Sequence, residues 1–344
     1  MSDSKAEVHQ DAATPVGKPS KKRSCMRHCG KFWWAYLIVF IIIVVLVVCL
    51  VIFVGVPKIA QSKINDAKLE IQNVRILDTE SDAFTMEVES TITTDGSVHA
   101  DIDAFRGDMY LEGADPYVPF ASLDFPKTNS DKHQDVDISQ SVDITDMDAF
   151  TNFNIEFFQK ESVDITIKGK TKVKPSGLDR KSKVDFKKTL ETKGLNLFKG
   201  TTVPEGTILM GKDEEDGKNF KGRAIIPNAS HFTLDIGNVS FINFVDDKDI
   251  GTLFINDLVL KPGDNDVNVT AVLDQAAVLT AVSSRPYCED GMVPFKLLGN
   301  NVTNNGQNLS YFADALASAN QTVPINITAI ISSSLGINVE CSDK

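Results

Sequence analysis

The sequence predicts an all-β protein of two tandem β-sandwich domains with a few short helices, carried behind one N-terminal transmembrane helix. Three observations predict it. Phe32 to Val56 is a run of twenty-five residues without a charge, long enough at ~1.5 Å per residue to cross a bilayer with some tilt. Beyond it, apolar and polar residues alternate at period two, as half-buried antiparallel strands do. Turn signals such as Asp95-Gly96, Ala114-Asp115-Pro116 and Pro175-Ser176-Gly177 break those runs at close spacing, which favours sandwiches.

Residues 1–31 are rich in Ser, Lys, Pro and Asp and hold almost no aliphatic side chain. Such a tail buries too little surface to offset chain entropy and is expected to be disordered. The apolar run is read as a span at residues 32–56. A core helix would show a polar face, and a cleaved signal peptide has an apolar core of only ~7–15 residues. Before the run stand Lys18, Lys21, Lys22, Arg23, Arg27 and Lys31 with no acid among them; after it Lys58, Lys63 and Lys68 mix with Asp66 and Glu70. The Lys/Arg excess marks the cytosolic side, so residues 57–344 are expected in a lumen or outside, behind a single-pass signal anchor. Trp33, Trp34 and Tyr36 suit the cytosolic headgroup level.

Residues 57–344 hold 28 Lys+Arg against 44 Asp+Glu, a net of −16. That balance opposes a nucleic-acid partner. Cys25 and Cys29, in the basic juxtamembrane tail, are palmitoylation candidates as well as plain thiols. Cys49 lies in the span. Cys288 and Cys341 are the ectodomain pair and, in an oxidising compartment, a disulfide candidate. Asn228, Asn238, Asn268, Asn301, Asn308, Asn320 and Asn326 each open an Asn-X-Ser/Thr tripeptide and are glycosylation candidates, all on the expected lumenal side.

Past the span, Ile59 to Ala67 reads as a short helix or stalk. Strands follow on Phe84, Met86, Val88 and Ile92; Val98 to Ala104; Val136, Ile138, Val142 and Ile144; and Val163, Ile165, Ile167 and Val173. The second half repeats the style with Phe232, Leu234 and Ile236, then Val239, Phe241 and Val245, then Val267 to Leu273, then Val293, Phe295 and Leu297. Helical spacing is confined to Phe150, Phe153 and Phe157, to Ala276–Val282, and to Leu309, Phe312, Ala313 and Leu316. Ser81–Val88 and Ala229–Ile236 are similar, with Phe84 and Phe232 148 positions apart. The expected domains are therefore 57–185 and 186–344, the second glycosylated.

The run from Pro57 to Gln61, Ser90–Ala100, Asp146–Phe153, Ile167–Thr171, Leu260–Asn265 and Asp274–Leu279 resembles fungal single-span membrane proteins that carry a domain of unknown function. The resemblance implies an endomembrane protein, often vacuolar, with sandwiches similar to the late-embryogenesis-abundant group-two fold. It brings no catalytic residue.

Chemistry is sparse. Gly169-Lys170-Thr171 lacks the glycine of a phosphate loop five positions earlier, where Asp164 stands. His99, His133 and His231 have no metal-ligand spacing. Asp213–Gly217 and Asp247–Gly251 lack the spaced ligands of a calcium loop. No cofactor or metal is expected. The reading is a non-enzymatic, membrane-integral protein whose β-domains bind a protein or lipid partner. A lumenal hydrolase built on an unrecognised carboxylate pair is the alternative. For lipid, Phe150, Phe153, Phe157 and Phe158 are the residues either bordering a groove or closing the core.

Overall fold

A computed structural model describes residues 21–209 and 217–342, with the side chains of 21–31 outside that description. The chain forms two compact units, one ending at Lys58 and one running from Ile59. In the first, helix α1 (Lys21–Leu50) bends at Phe32 (φ −117°, ψ 17°) and passes into a π-helical turn, Val51–Gly55. The helix thus starts eleven residues before the apolar run, so residues 21–31 are helical rather than disordered. Lys and Arg are good helix formers, and elongating an existing helix avoids the cost of nucleation. The apolar helix from Phe32 is long enough and apolar enough to span a membrane. Helix α2 (Val56–Asp66) follows.

From Ile59 on the protein is mostly β. Its first half contains β1 (Lys68–Leu77), β2 (Ala83–Thr93), β3 (Ala100–Ile102), β4 (Phe105–Leu111), β5 (Ala121–Phe125), β6 (Thr128–Asn129), β7 (His133–Asp143), helix α3 (Met147–Gln159), β8 (Ser162–Pro175) and β9 (Ser182–Lys193). The second half contains β10 (Thr202–Ile208), β11 (Phe220–Asn228), β12 (Phe232–Val245), β13 (Lys248–Leu260), β14 (Gly263–Leu273), α4 (Gln275–Val282), α5 (Tyr287–Asp290), β15 (Met292–Asn304), β16 (Gln307–Asn308), α6 (Ser310–Ala317), β17 (Gln321–Asn326) and α7 (Ile327–Leu335). The expected boundary at 185/186 falls inside β9, which pairs with β8 along its whole length. The division belongs after Lys193, because hairpin pairing holds β9 to the first half.

The two halves share a sheet. β1–β2–β7 joins β12 through a short parallel pairing, Val74–Ile76 against Phe232–Leu234. β12 then changes partner, meeting β15 from Asn238 onward while keeping β13 on its other edge. Gly237 makes the change possible: its φ is +87°, and a Cβ there would lie 2.5 Å from the Thr303 carbonyl. The similar octapeptides found in sequence stand where β2 and β12 begin.

Helix α3 forms the core between the halves. Asp146 caps it, accepting from the Ala149 amide at 2.9 Å. Phe150, Phe153, Phe157 and Phe158 are all buried, so they close the core and border no groove. Phe157 lies 5.0 Å from Phe232, Phe158 5.9 Å from Phe312, and Phe150 4.9 Å from Tyr311, centroid to centroid. Polar ties add to this. The Thr79 hydroxyl donates to the Asp235 carbonyl, and the Gln307 side chain accepts from the Ser81 amide. One continuous apolar core results, in place of two independent ones.

Candidate functional site

The first half is a sandwich of β1–β2–β7 against a second sheet containing β5, β4, β8 and β9. The facing sheets do not meet everywhere: between them lies a cavity of about 500 Å³. Met86, Val88, Met109, Ile138 and Ile167 form its buried walls. Its opening lies between two strand edges. β1 bonds to β12 at Val74–Ile76, so residues 68–73 have β2 on one side and, among the described residues, no strand on the other. Among the described residues β9 pairs with β8 alone. Leu69 and Ile71 border the opening on one edge, Leu190 and Thr192 on the other, with His231 and Phe232 also in the lining. A register shift between Ile71 and Asn73 marks where β1 departs from regular pairing, and such bulges bend a strand and end pairings.

Helix α2 covers the remaining edge of β9. The Gln61 carboxamide acts as a strand residue would, donating to the Asp185 carbonyl (2.7 Å) and accepting from the Asp185 amide (2.8 Å). Ala60 packs with Ala100, Val173 and Val184. The Lys188 ammonium donates to the carbonyls of Asn65 (2.7 Å) and Ala67, tying β9 to the end of α2 and the start of β1. Burial pulls the Lys188 pKa below its ordinary value, and the Asp66 charge opposes that. Covering an exposed edge is how sheets avoid stray pairing. From Thr189 onward β9 lacks this cover.

Two carboxylates touch the opening, Glu70 and Glu191. Their partners in register are Thr91 and Asp164. Strand alternation turns each to the outer face of its sheet while Leu69, Ile71, Leu190 and Thr192 turn inward. They do not face one another across the cleft as a general acid and base would.

The other sequence candidates lie elsewhere. Cys288 and Cys341 are bonded, with Cα atoms 5.2 Å apart. Cys25 and Cys29 have side chains outside the described residues, and Cys49 is an exposed free thiol of the apolar helix. Asn238, Asn268, Asn301, Asn308, Asn320 and Asn326 are exposed. Asn228 is not: it is 2% exposed, its Nδ2 donates to the Phe232 carbonyl at 2.7 Å, and its Oδ1 accepts from Ser230. Its amide nitrogen serves the β11–β12 turn and offers no glycan attachment in the folded chain. Asp213–Asp216 lies outside the described residues. In Asp247–Gly251, Asp247 pairs with Lys296 and Asp249 accepts from the Gly251 amide, forming a hairpin turn. Among the described residues no group of three or more His, Cys, Asp and Glu is placed to hold a metal. Sequence reasoning missed Gln61, Lys188 and Leu190. The signal for Leu190 was the alternation Val184, Phe186, Leu190, diluted by the lysines between.

The sequence profile of a family described as "Protein of unknown function (DUF3712)" matches residues 118–243, from the approach to β5 through α3, β8 and β9 into β12. No curated protein matches. Among solved structures, AT1g01470 from Arabidopsis thaliana is 12% identical, covering 36% of this chain and 80% of that one, with a TM-score of 0.21. The sporulation control protein Spo0M from Bacillus subtilis is 9% identical, covering 63% and 92%, with a TM-score of 0.19. A bacterial adhesin from Mobiluncus mulieris is 8% identical, covering 68% and 81%, also with a TM-score of 0.19.

Proposed function

We propose that this is a non-enzymatic, single-pass endomembrane protein whose first sandwich holds the alkyl chain of a lipid between its sheets. One observation carries the reading: an apolar cavity of about 500 Å³, within the ~300–1,000 Å³ of small-molecule sites, opening between two unpaired strand edges. Its inward-facing side chains are aliphatic, aromatic or neutral polar, which suits a hydrocarbon tail. Ser90 is the buried hydroxyl in the lining, and it is satisfied by the Val136 carbonyl at 2.8 Å, so it asks nothing of a ligand. The apolar helix supports membrane residence. The basic flank supports a cytosolic N-terminus, and the six exposed sequons support a glycosylated lumenal side. A vacuolar or related endomembrane of a fungus is the setting that the sequence resemblance implies.

The test uses the full chain reconstituted in vesicles containing a sixteen-carbon lipid chain with a photoreactive diazirine. Irradiation should label peptides of β1 and β9 as well as the peptide 32–56, which serves as an internal control. Leu190→Trp, placed at the half-buried mouth, should suppress the β1 and β9 label at unchanged thermal midpoint and leave the 32–56 label intact. Label confined to 32–56 in the unsubstituted chain would refute the reading.

A further inference from the structure

We propose a second binding surface, separate from the cleft: the outer face of β8 and β9 takes a linear polyphosphorylated chain through Lys168, Lys170, Lys172, Lys183 and Lys187. Charge is distributed very unevenly along this protein. Residues 162–193, the β8–β9 hairpin, hold ten Lys+Arg against four Asp+Glu, a net of +6. Since residues 57–344 carry −16, the rest of that stretch, outside the hairpin, carries −22. Asymmetry of this size is an electrostatic footprint.

The register puts the charges together. Lys168 stands opposite Lys187 and Lys172 opposite Lys183, and like charges in direct cross-strand pairs are destabilising. Alternation sets Lys168, Lys170 and Lys172 on one face of β8 at ~6.7 Å intervals, with Lys183 and Lys187 beside them. None of the five has an ion pair among the described residues, although cations nearby do: Lys181 pairs with Asp103, Lys174 with Asp179 and Lys127 with Asp101. Asp185 interrupts the row on β9, opposite Lys170, and Asp108 lies opposite Lys168 while accepting from Ser122. Lys168 also lies over the stacked rings of Tyr110 and Tyr117, 4.7 and 4.2 Å from their centroids.

Edge protection accounts for lysines on β9, an edge strand. It does not account for those on β8, which has β9 on one side and β3 and β4 on the other. The five cations are all lysine. Arginine would give the bidentate geometry of a discriminating site, whereas lysine binds phosphate as a point charge on a flexible stem. A row of such charges suits a repeating anion rather than one shaped group. All seven sequons lie from residue 228 onward, so no glycan attachment point occurs on this half.

Binding of linear inorganic polyphosphate to the full chain in neutral-lipid nanodiscs tests the assignment. Five contacts predict a log–log salt slope of about −3.5, by the single-strand coefficient of ~0.7 per phosphate. Lys170→Ser/Lys172→Ser/Lys183→Ser should weaken binding at least about tenfold at low salt, while Lys248→Ser/Lys261→Ser, exposed residues at either end of β13 in the other half, should change it less than twofold. Equal losses in both variants, or no binding at low salt, would overturn the proposal. So would binding to nanodiscs of anionic phospholipid without binding to polyphosphate, which would make the face a bilayer contact. None of these readouts involves the cleft, so failure of the lipid reading leaves the result interpretable.

Discussion

The two halves of residues 59–344 use the same kind of strand and differ at their edges. In the second half the sheet runs β10–β11–β14–β13–β12 and on through β15 to β17, and β10 comes alongside β17. Helix α7 completes the closure, with Ser334 Oγ accepting from the Ile208 amide at 3.1 Å. The interior that remains is about 70 Å³, lined almost wholly by aliphatic and aromatic side chains. In the first half β1 and β9 never pair, and about 500 Å³ stays open between the sheets. Strand composition does not explain this, because both interiors are aliphatic. Edge pairing does: in the second half one sheet curls until its ends meet, and in the first half the facing edges of two different sheets, β1 and β9, stay apart.

If α3 is what makes one unit of these halves, its loss should be the largest single effect. Phe157 is 2% exposed and touches both Phe153 and Phe232. Phe157→Ala should cost about 3–5 kcal/mol. Denaturant unfolding followed by hydrogen exchange should still show amides of β2–β7 and β11–β14 released in one transition. Two separated transitions in the unsubstituted chain would break the comparison by making the halves independent domains.

A matched pair sharpens it. Ile250, 1% exposed, packs in the second half away from its small cavity; Ile138, 7% exposed, lines the cleft. A side chain that already faces empty space has fewer partners to lose. Ile250→Ala should therefore cost about 3–4 kcal/mol and Ile138→Ala about 2, within the range for such truncations. Equal costs by chemical denaturation of delipidated protein would mean that the cleft is filled by protein in solution.

What was legible in the sequence follows the same division. Period-two runs such as Phe84–Val88 and Phe232–Ile236 announced strands, and Phe150, Phe153 and Phe157 announced a helix, because those signals are local. Helix α7, with Ile327, Ile330 and Ile331 buried, was not anticipated. Nor was β9, where lysines dilute the apolar positions. The cleft could not be read at all. It depends on Val74 pairing with Phe232 while Leu69 pairs with no described strand on that side, a choice made between segments more than 150 residues apart. Asn228 shows the converse: its sequon is a local pattern, and tertiary hydrogen bonds put its nitrogen out of reach.

The smallest effect concerns the polar seam between the halves. Tyr311 of α6 is fully buried, and its hydroxyl donates to the Glu80 carbonyl in the β1–β2 turn at 2.9 Å. Burial, more than any other cause, pushes its phenol well above the ordinary value near 10; the Thr79 hydrogen bond opposes this, and the Asp235 and Glu80 charges add to it. The folded pKa is thus raised above the unfolded one. The contribution is full below about pH 10 and is lost as pH rises above that, because the unfolded chain ionises first. Tyr311→Phe keeps the ring against Phe150 and Phe312 and removes one hydrogen bond, so it should cost about 1 kcal/mol at neutral pH. It should also flatten the fall in stability between about pH 10 and 12, because phenylalanine has no proton to lose. Melting curves at pH 7 and across that alkaline range would show both effects. A variant that loses stability above pH 10 as steeply as the parent would mean that this tyrosine ionises freely, and that the seam between the halves is wetter than its burial indicates.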